Sequence, residues 1–435
     1  MKLQIFAGLF VLFLFVLPIP GTIALRHGLL LGLLLLLVPL WRECRFGLLI
    51  RDRSASGLLL WLAILSTWVI TQAFWISDET AWALKEISSQ WLPALLSAVV
   101  GMGVALAASG WVSRKKLLGG IILVFLTQAV FSLIVTLPDF LANGVFPQSK
   151  TALTAGKLEI SYWNNLLLAF LAVDALSRWL YRQSLSALPT PLIIFGILTV
   201  FASNLAFGAR NGMIGSLILL SSLALLVIWH ERKRIGSAKA VGFVGGAILV
   251  IVTLAWANYQ LDPRWVGFKE TAQIAWQPAA SDVWLHPDGA VMPKLKSGEP
   301  VEASAYFRIA WIRAGLDVIA DYPWGVGYGR NAFGHALRKT METRLGHAHS
   351  GLIDWTIGVG MPGLILWLGF LSWLVVLGIR RYFIRQDPAG LILTFAVSGF
   401  FGRMLLDSIN RDHMLMVFFL VLAILVSLPE EPVKQ

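Results

Sequence analysis

The chain has 435 residues, of which 57% are hydrophobic and only 14% charged. A soluble domain carries roughly a quarter charged residues, so this chain has too little polar surface to be water-soluble. Its formal net charge of +11 does not point to a nucleic-acid partner, because the basic residues sit in short clusters between apolar runs. That is the pattern of membrane topology.

Apolar runs of about 20 residues cross a bilayer as helices, because lipid leaves an exposed backbone group unsatisfied. In chain order the runs are 3–20, 22–41, 57–76, 91–110, 117–137, 161–180, 188–207, 211–230, 239–257, 352–379, 388–406 and 413–428. The fold class expected is therefore an all-α polytopic membrane protein with about 12 transmembrane helices. Lys2 precedes an apolar run as in a signal peptide, but Pro18, Ile19, Pro20 and Gly21 replace a small-residue cleavage site and a second run follows at once. The first run is expected to be an uncleaved helix. Alternate turns carry the basic clusters Arg42, Arg45, Arg51 and Arg53; Arg114, Lys115 and Lys116; Arg178 and Arg182; Arg232, Lys233, Arg234 and Lys239; and Arg380, Arg381 and Arg385. The opposite short turns are much poorer in Lys and Arg. The positive-inside bias thus places the basic turns and both termini in the cytoplasm. The single cysteine, Cys44, rules out a disulfide framework within the chain.

Three regions follow: transmembrane helices 1–9 over 1–257, a large extracytoplasmic loop over 258–350, and helices 10–12 over 351–435. The loop carries ten basic and nine acidic residues. Its first half is rich in Pro and Trp. Its second half reads as an amphipathic helix, with Ile309, Ile312, Leu316 and Ile319 at helical spacing, ending near Tyr322–Pro323. Gly325–Val326–Gly327–Tyr328–Gly329 follows as a turn; it lacks the preceding strand and the lysine of a nucleotide loop. A connection this long is usually functional.

Three constellations carry chemistry. Arg210 lies in the tight turn Gly208–Ala209–Arg210–Asn211–Gly212; on position alone it is an interface anchor, while a guanidinium at that depth also matches a lipid phosphate bidentately. Arg308 opens the loop helix in Tyr306–Phe307–Arg308–Ile309, with Arg313, Arg330 and Arg338 as alternatives that spacing does not exclude. His347 and His349 stand at the entrance to the tenth span in Gly346–His347–Ala348–His349–Ser350–Gly351. Two histidines one residue apart are metal-ligand types, but no third ligand lies at zinc-site spacing, so no metal and no cofactor are expected. Histidine is the commonest general base. In a helix the two would point about 200° apart, leaving one of them to face a given cavity. Asp407 and Asp412, in the last short turn, are accessory candidates, each with a pairing partner to hand in Arg403 or Arg411.

The order of these features resembles the O-antigen ligase and polymerase superfamily of bacterial envelope glycosyltransferases. The resemblance is concentrated in 205–215 and 305–365: a mid-chain arginine, a loop arginine, Asp321–Tyr322–Pro323–Trp324–Gly325 with its glycine turn, then His349–Ser350–Gly351–Leu352, with Gly360 eleven residues beyond His349. It implies a GT-C-like fold in a bacterial inner membrane, with the loop and active site facing the periplasm. It also implies a metal-independent transfer of glycan from undecaprenyl diphosphate to an acceptor hydroxyl, lipid A–core in the ligases. Arg210 and Arg308 would hold the donor diphosphate, and His349 would activate the acceptor; His347, Asp407 and Asp412 would be accessory. Ser350 stands where the family often has Asn, and Ile214 where it often has Leu.

The same resemblance covers O-antigen polymerases and protein O-oligosaccharyltransferases, which differ in acceptor. A single large loop, with a short 138–160 turn, favours a ligase. A transporter is a different class of reading; it would place polar or broken helices near the bilayer midplane, and few charges fall mid-span here.

Overall fold

The computed structural model describes residues 2–43, 52–110, 113–144, 153–154, 156–207, 210–236, 267–278, 282–289 and 291–431, with single positions and pairs between 241 and 256. Most of the expected ninth span, 239–257, and Cys44 lie outside the described residues. Among those described, the secondary structure is helical, and its one β feature is an isolated bridge between Lys294 and Pro300. Seven helices are long and apolar enough to cross a membrane, and four shorter apolar helices accompany them. These eleven fall on the expected spans other than the ninth.

In chain order they are α1 (Lys2–Val16), α2 (Ile23–Glu43) and α3 (Arg53–Trp75), then α4 (Thr80–Glu86), which runs through a π turn, Ile87–Trp91, into α5 (Leu92–Gly110). Next come α6 (Arg114–Asn143), α7 (Lys157–Tyr181), α8 (Thr190–Ala206) and α9 (Arg210–Ile235). The loop holds α10 (Phe268–Ala275), α11 (Ala303–Asp321) and α12 (Ala332–Leu337), and the chain returns through α13 (Gly351–Phe383), α14 (Ala389–Leu406) and α15 (Asp412–Ser427).

The core is built around α15, whose side chains from His413 to Ser427 are all buried. Between apolar helices the lipid offers no hydrophobic drive, so close backbone approach and dense packing must hold them. Gly101 of α5 supplies that approach: a Cβ there would stand 2.4 Å from Leu420 O of α15. Stacked and edge-on rings from Trp91, Trp355, Trp367, Phe400, Phe418 and Phe419 fill the centre.

Polar groups join the helix ends where α6 begins. Arg114 pairs with Asp387 at 2.5 Å, both side chains almost fully buried, and donates to Pro429 O. Arg381 donates to Leu425 O and Leu428 O, and Arg178 clasps Asp174. This is the basic end of the bundle. The described residues of 267–350 pack on the other, the loop end.

The loop forms its own small core of Trp284, Tyr306, Ala310, Trp311, Phe333 and Leu337, continuous with Ile353 and Ile357 of α13. The helix expected at its second half is α11. Its buried face is Tyr306, Ala310, Trp311, Ala314, Gly315 and Val318; Ile309, Ile312 and Ile319 of the predicted stripe pack beside it, half-buried, while Leu316 is exposed. Small residues let α11 press against α13, as at Gly315, where a Cβ would lie 2.4 Å from Ile353 Cγ2.

Candidate active site at the loop end

The glycine turn and the broken helix α13 are one device. Gly360 has φ +72 inside α13, a left-handed conformation that glycine adopts without steric cost, and Pro362 removes a backbone donor. The carbonyls freed by that break find new donors. Ile357 O accepts from Val326 N at 2.9 Å, Gly358 O from Gly327 N at 3.0 Å, and Val359 O from Trp68 Nε1 at 2.8 Å. Gly325 and Gly360 let the two backbones meet, since a Cβ on Gly325 would stand 2.5 Å from Gly360 N. A glycine run and a distant glycine in the sequence thus lock the loop to the start of α13, where the histidines lie.

His347 and His349 precede α13 in non-helical backbone, and His349 has φ +52. The helix argument that separates their side chains does not apply. Their rings stand 4.3 Å apart, and the His349 ring stacks on Trp311 of α11 at 4.9 Å. Nδ1 of His349 lies 3.8 Å from Asp407 Oδ1. Below them Asp354, buried in α13, accepts from Ala348 N at 2.8 Å and from the Ser408 hydroxyl, which fixes the histidine segment against the turn after α14. Asp407 is in turn held by Ser408 N at 2.9 Å and faces Arg403 at 4.0 Å. Burial works against ionisation of Asp407, but the interaction with His349 and the charge of Arg403 together hold its carboxyl below the usual range.

His347 accepts a contact from Arg411 Nη2 at 3.5 Å. Burial, then the charges of Arg411 and His349, push its pKa down to about 3, so it is a neutral imidazole beside its neighbour. Asp412 turns elsewhere: it pairs with Arg330 at 3.4 Å, not with Arg411, and its N–H is taken by Gln90 at 2.6 Å, within the π turn. Arg330 also grips Glu86 through Nε and Nη2. That cluster ties the loop to α4 and leaves Asp407 as the acidic candidate beside His349.

Arg308 sits three residues before Trp311, so one helical turn carries it along the same side of α11. It is half-buried, forms no hydrogen bond or ion pair among the described residues, and lies within electrostatic reach of Arg403. Arg313, the first alternative to it, is spent on Asp317 one turn away, and Arg338 on Leu345 O.

Arg210 opens α9; its side chain lies outside what the structure describes. The first turns of α9 are pinned by a buried polar network. Asn164 donates to Ser203 Oγ and Asn204 Oδ1, Asn204 to Ser216 Oγ, and Ser216 to Asn165 Oδ1, at 2.9–3.3 Å. Gly212 permits it, since a Cβ there would meet Asn204 Oδ1 at 2.6 Å.

The structure thus brings His349, His347, Asp407 and Arg308 into one neighbourhood. It adds Arg403, Trp311 and Asp354, which sequence spacing did not single out as a set; the clue available was three ionisable residues, Asp354, Arg403 and Asp407, at the loop ends of apolar spans. Among the described residues no group of three His, Cys, Asp or Glu is placed to hold a metal ion.

Residues 191–368 match the protein-family model described as O-antigen ligase. That stretch contains Arg210, Arg308, both histidines and Gly360, and stops before Arg403 and Asp407. No curated protein matches the chain.

Proposed function

We propose that this member of the O-antigen ligase superfamily transfers a glycan from undecaprenyl diphosphate to a lipid A–core hydroxyl, at the periplasmic face of a bacterial inner membrane. The observation that carries the reading is the His349–Asp407 pair, 3.8 Å apart, set beside an unengaged arginine on α11. Nδ1 is the nitrogen nearer Asp407 and makes no hydrogen bond among the described residues, so Nε2 is assigned to accept the proton of the acceptor hydroxyl. Asp407 then plays the part of a positioning residue, stabilising the imidazolium that forms.

The acceptor oxygen bonds to the anomeric carbon, and the bond from that carbon to the diphosphate oxygen breaks, its electron pair leaving with the diphosphate. The proton passes to His349. The leaving group gains negative charge, which Arg308 and Arg210 are assigned to stabilise. Fixed guanidiniums do this with planar, two-pronged hydrogen bonds and need no metal. Basic turns in the cytoplasm put the loop end outside, where lipid-linked glycan and lipid A–core meet. The single large loop over 258–350 favours a ligase over a polymerase.

Deletion of the gene, followed by electrophoresis of lipopolysaccharide, tests the acceptor. Loss of the long-chain ladder with lipid-linked glycan accumulating supports the ligase. Chains capped at one repeat unit would make it a polymerase, and intact lipopolysaccharide with unmodified proteins a protein glycosyltransferase.

A further inference from the structure

A crevice of about 130 Å³ lies between α1, α5 and α6. Phe6, Phe10 and Leu14 line it from α1, Val104 from α5, and Ile121 and Val124 from α6. All six are buried, so three helices wall the space. It widens at Gly120 of α6, where nothing lies within 4 Å of where a Cβ would stand. A glycine inside a helix costs stability relative to alanine, and here it keeps space open. Along α1 the lining runs from Leu3 to Leu14, about 16 Å at the rise of an α-helix. One turn beyond Val124, Gln128 donates to Phe15 O at 2.8 Å and closes the inner end. The side of the crevice opens at Val11, which is exposed.

Side chains that face a void lose the dispersion contacts of a close-packed interior. Water is a poor filler, because it needs several polar partners and an apolar cavity stays dry. Such a cavity takes apolar guests instead. A single hydrocarbon chain entering from the bilayer past Val11 matches both the length and the lining.

The outer end of the crevice carries charge. Lys116 lines it from the first turn of α6, and Lys2 directly precedes Leu3 at the same end of α1; both lysines are exposed. Lys116 belongs to the cluster Arg114–Lys115–Lys116, whose other members are occupied. Arg114 is spent on Asp387 and Pro429 O, and Lys115 on Ser184 Oγ. The Lys116 ammonium makes no hydrogen bond or ion pair among the described residues. The positive end of the α6 dipole adds to the same field.

We propose that this crevice binds an anionic phospholipid of the cytoplasmic leaflet, with one acyl chain between α1 and α6 and its phosphate at Lys116 and Lys2. The chain supplies the packing that holds helices together in lipid, and the two lysines favour a headgroup of net negative charge. The site lies at the basic end, away from His349, and does not rest on the reaction proposed above. The lipid serves there as a structural wedge that seats α1 on α6.

Native mass spectrometry of the purified full-length protein in detergent reads which lipid is retained. Phosphatidylglycerol, phosphatidylethanolamine, diacylglycerol and undecaprenyl phosphate are added in turn to wild type, Gly120→Phe and the double variant Lys2→Gln/Lys116→Gln. Wild type should retain phosphatidylglycerol at least about tenfold better than phosphatidylethanolamine or diacylglycerol, and phosphatidylglycerol should raise its melting temperature. Gly120→Phe should lose about tenfold of that retention, because its ring occupies the apolar space of the chain, and the rise in melting temperature should vanish. The double variant should keep weak retention but no preference for phosphatidylglycerol over phosphatidylethanolamine. Unchanged retention in Gly120→Phe would overturn the inference. So would an unchanged lipid preference in the double variant, whose exposed positions leave folding intact even if Gly120→Phe does not fold. Undecaprenyl phosphate held more tightly than phosphatidylglycerol, and lost in Gly120→Phe, would make the crevice a polyprenyl site and overturn the lipid class.

Discussion

Arginines are engaged at both ends of the helical bundle, Arg330 by Glu86 and Asp412 at the loop end, but two at the loop end stand apart. At the basic end, Arg114 has Asp387 and Pro429 O, Arg381 has Leu425 O, Leu428 O and Glu430, and Arg178 has Asp174 and Leu188 O. Each guanidinium there closes helix ends against one another. At the loop end, Arg403 keeps two donors free while fully buried, and Arg308 is engaged by no described residue. The same residue type is structural where carbonyls and carboxylates take up most of its donors, as they do for Arg381 and Arg178. It is available for an anion where they do not.

If that contrast is functional, substitutions at the two ends should fail differently. The largest effect on transfer is expected for His349→Ala, a loss of about 10²–10⁴-fold, the contribution of a positioned acid–base group, with donor binding kept. Arg308→Ala and Arg210→Ala should likewise abolish transfer in protein that still inserts, and lysine should rescue poorly because an ammonium makes no two-pronged contact. Glycan transfer in vitro, normalised to folded protein, reads all three. Full activity in any alanine variant removes that residue from the site.

At the basic end, Asp387→Ala should cost stability, not chemistry. It leaves Arg114 buried without its carboxylate, and breaking a buried pair costs about 3–5 kcal/mol. Thermal unfolding in detergent should shift strongly downward, while the specific activity of the folded fraction stays near wild type. A chemically dead but stable variant would erase the distinction between the two ends.

A smaller effect separates the two histidines. His347 is held neutral to about 3 in the folded protein, whereas an unfolded histidine takes a proton near 6.5. Between those values the unfolded state binds the extra proton, so stability falls as pH drops from about 6.5 towards 3. The Asp407 carboxyl, depressed by its partners, adds a loss of the same sign below its unfolded value. His347→Gln should flatten the pH dependence of the melting temperature above pH 4 and keep much of the transfer activity. Equal slopes in wild type and variant would show that His347 has no part in it.

The smallest expected effect is that of a chelator. With guanidiniums assigned to the leaving group, excess EDTA should leave transfer unchanged. A requirement for magnesium or manganese, restored on addition, would replace that part of the chemistry.

Much was legible along the chain. Runs such as 117–137 and 388–406 became α6 and α14 because an apolar segment of that length has one way to satisfy its backbone in lipid. The Gly325–Gly329 turn and Gly360 marked where the loop meets α13 because backbone that must bend or touch needs glycine, and that need is written locally. What depended on side chains meeting from distant segments was not. The periodicity of α11 pointed to Ile309, Ile312, Leu316 and Ile319, of which all but Leu316 pack against the loop core; the close approach of α11 to α13 at Gly315 was not written in it, since fit between two helices is a property of both. Helical spacing separated His347 from His349, whereas the non-helical backbone before α13 places their rings 4.3 Å apart. Arg403 read as one basic residue in a short turn. Only the packing of α14 against α7 and α9 left it buried, with donors to spare. Composition fixes how many guanidiniums there are, and tertiary structure decides which are satisfied, because desolvation and partner count exist only once the helices have met.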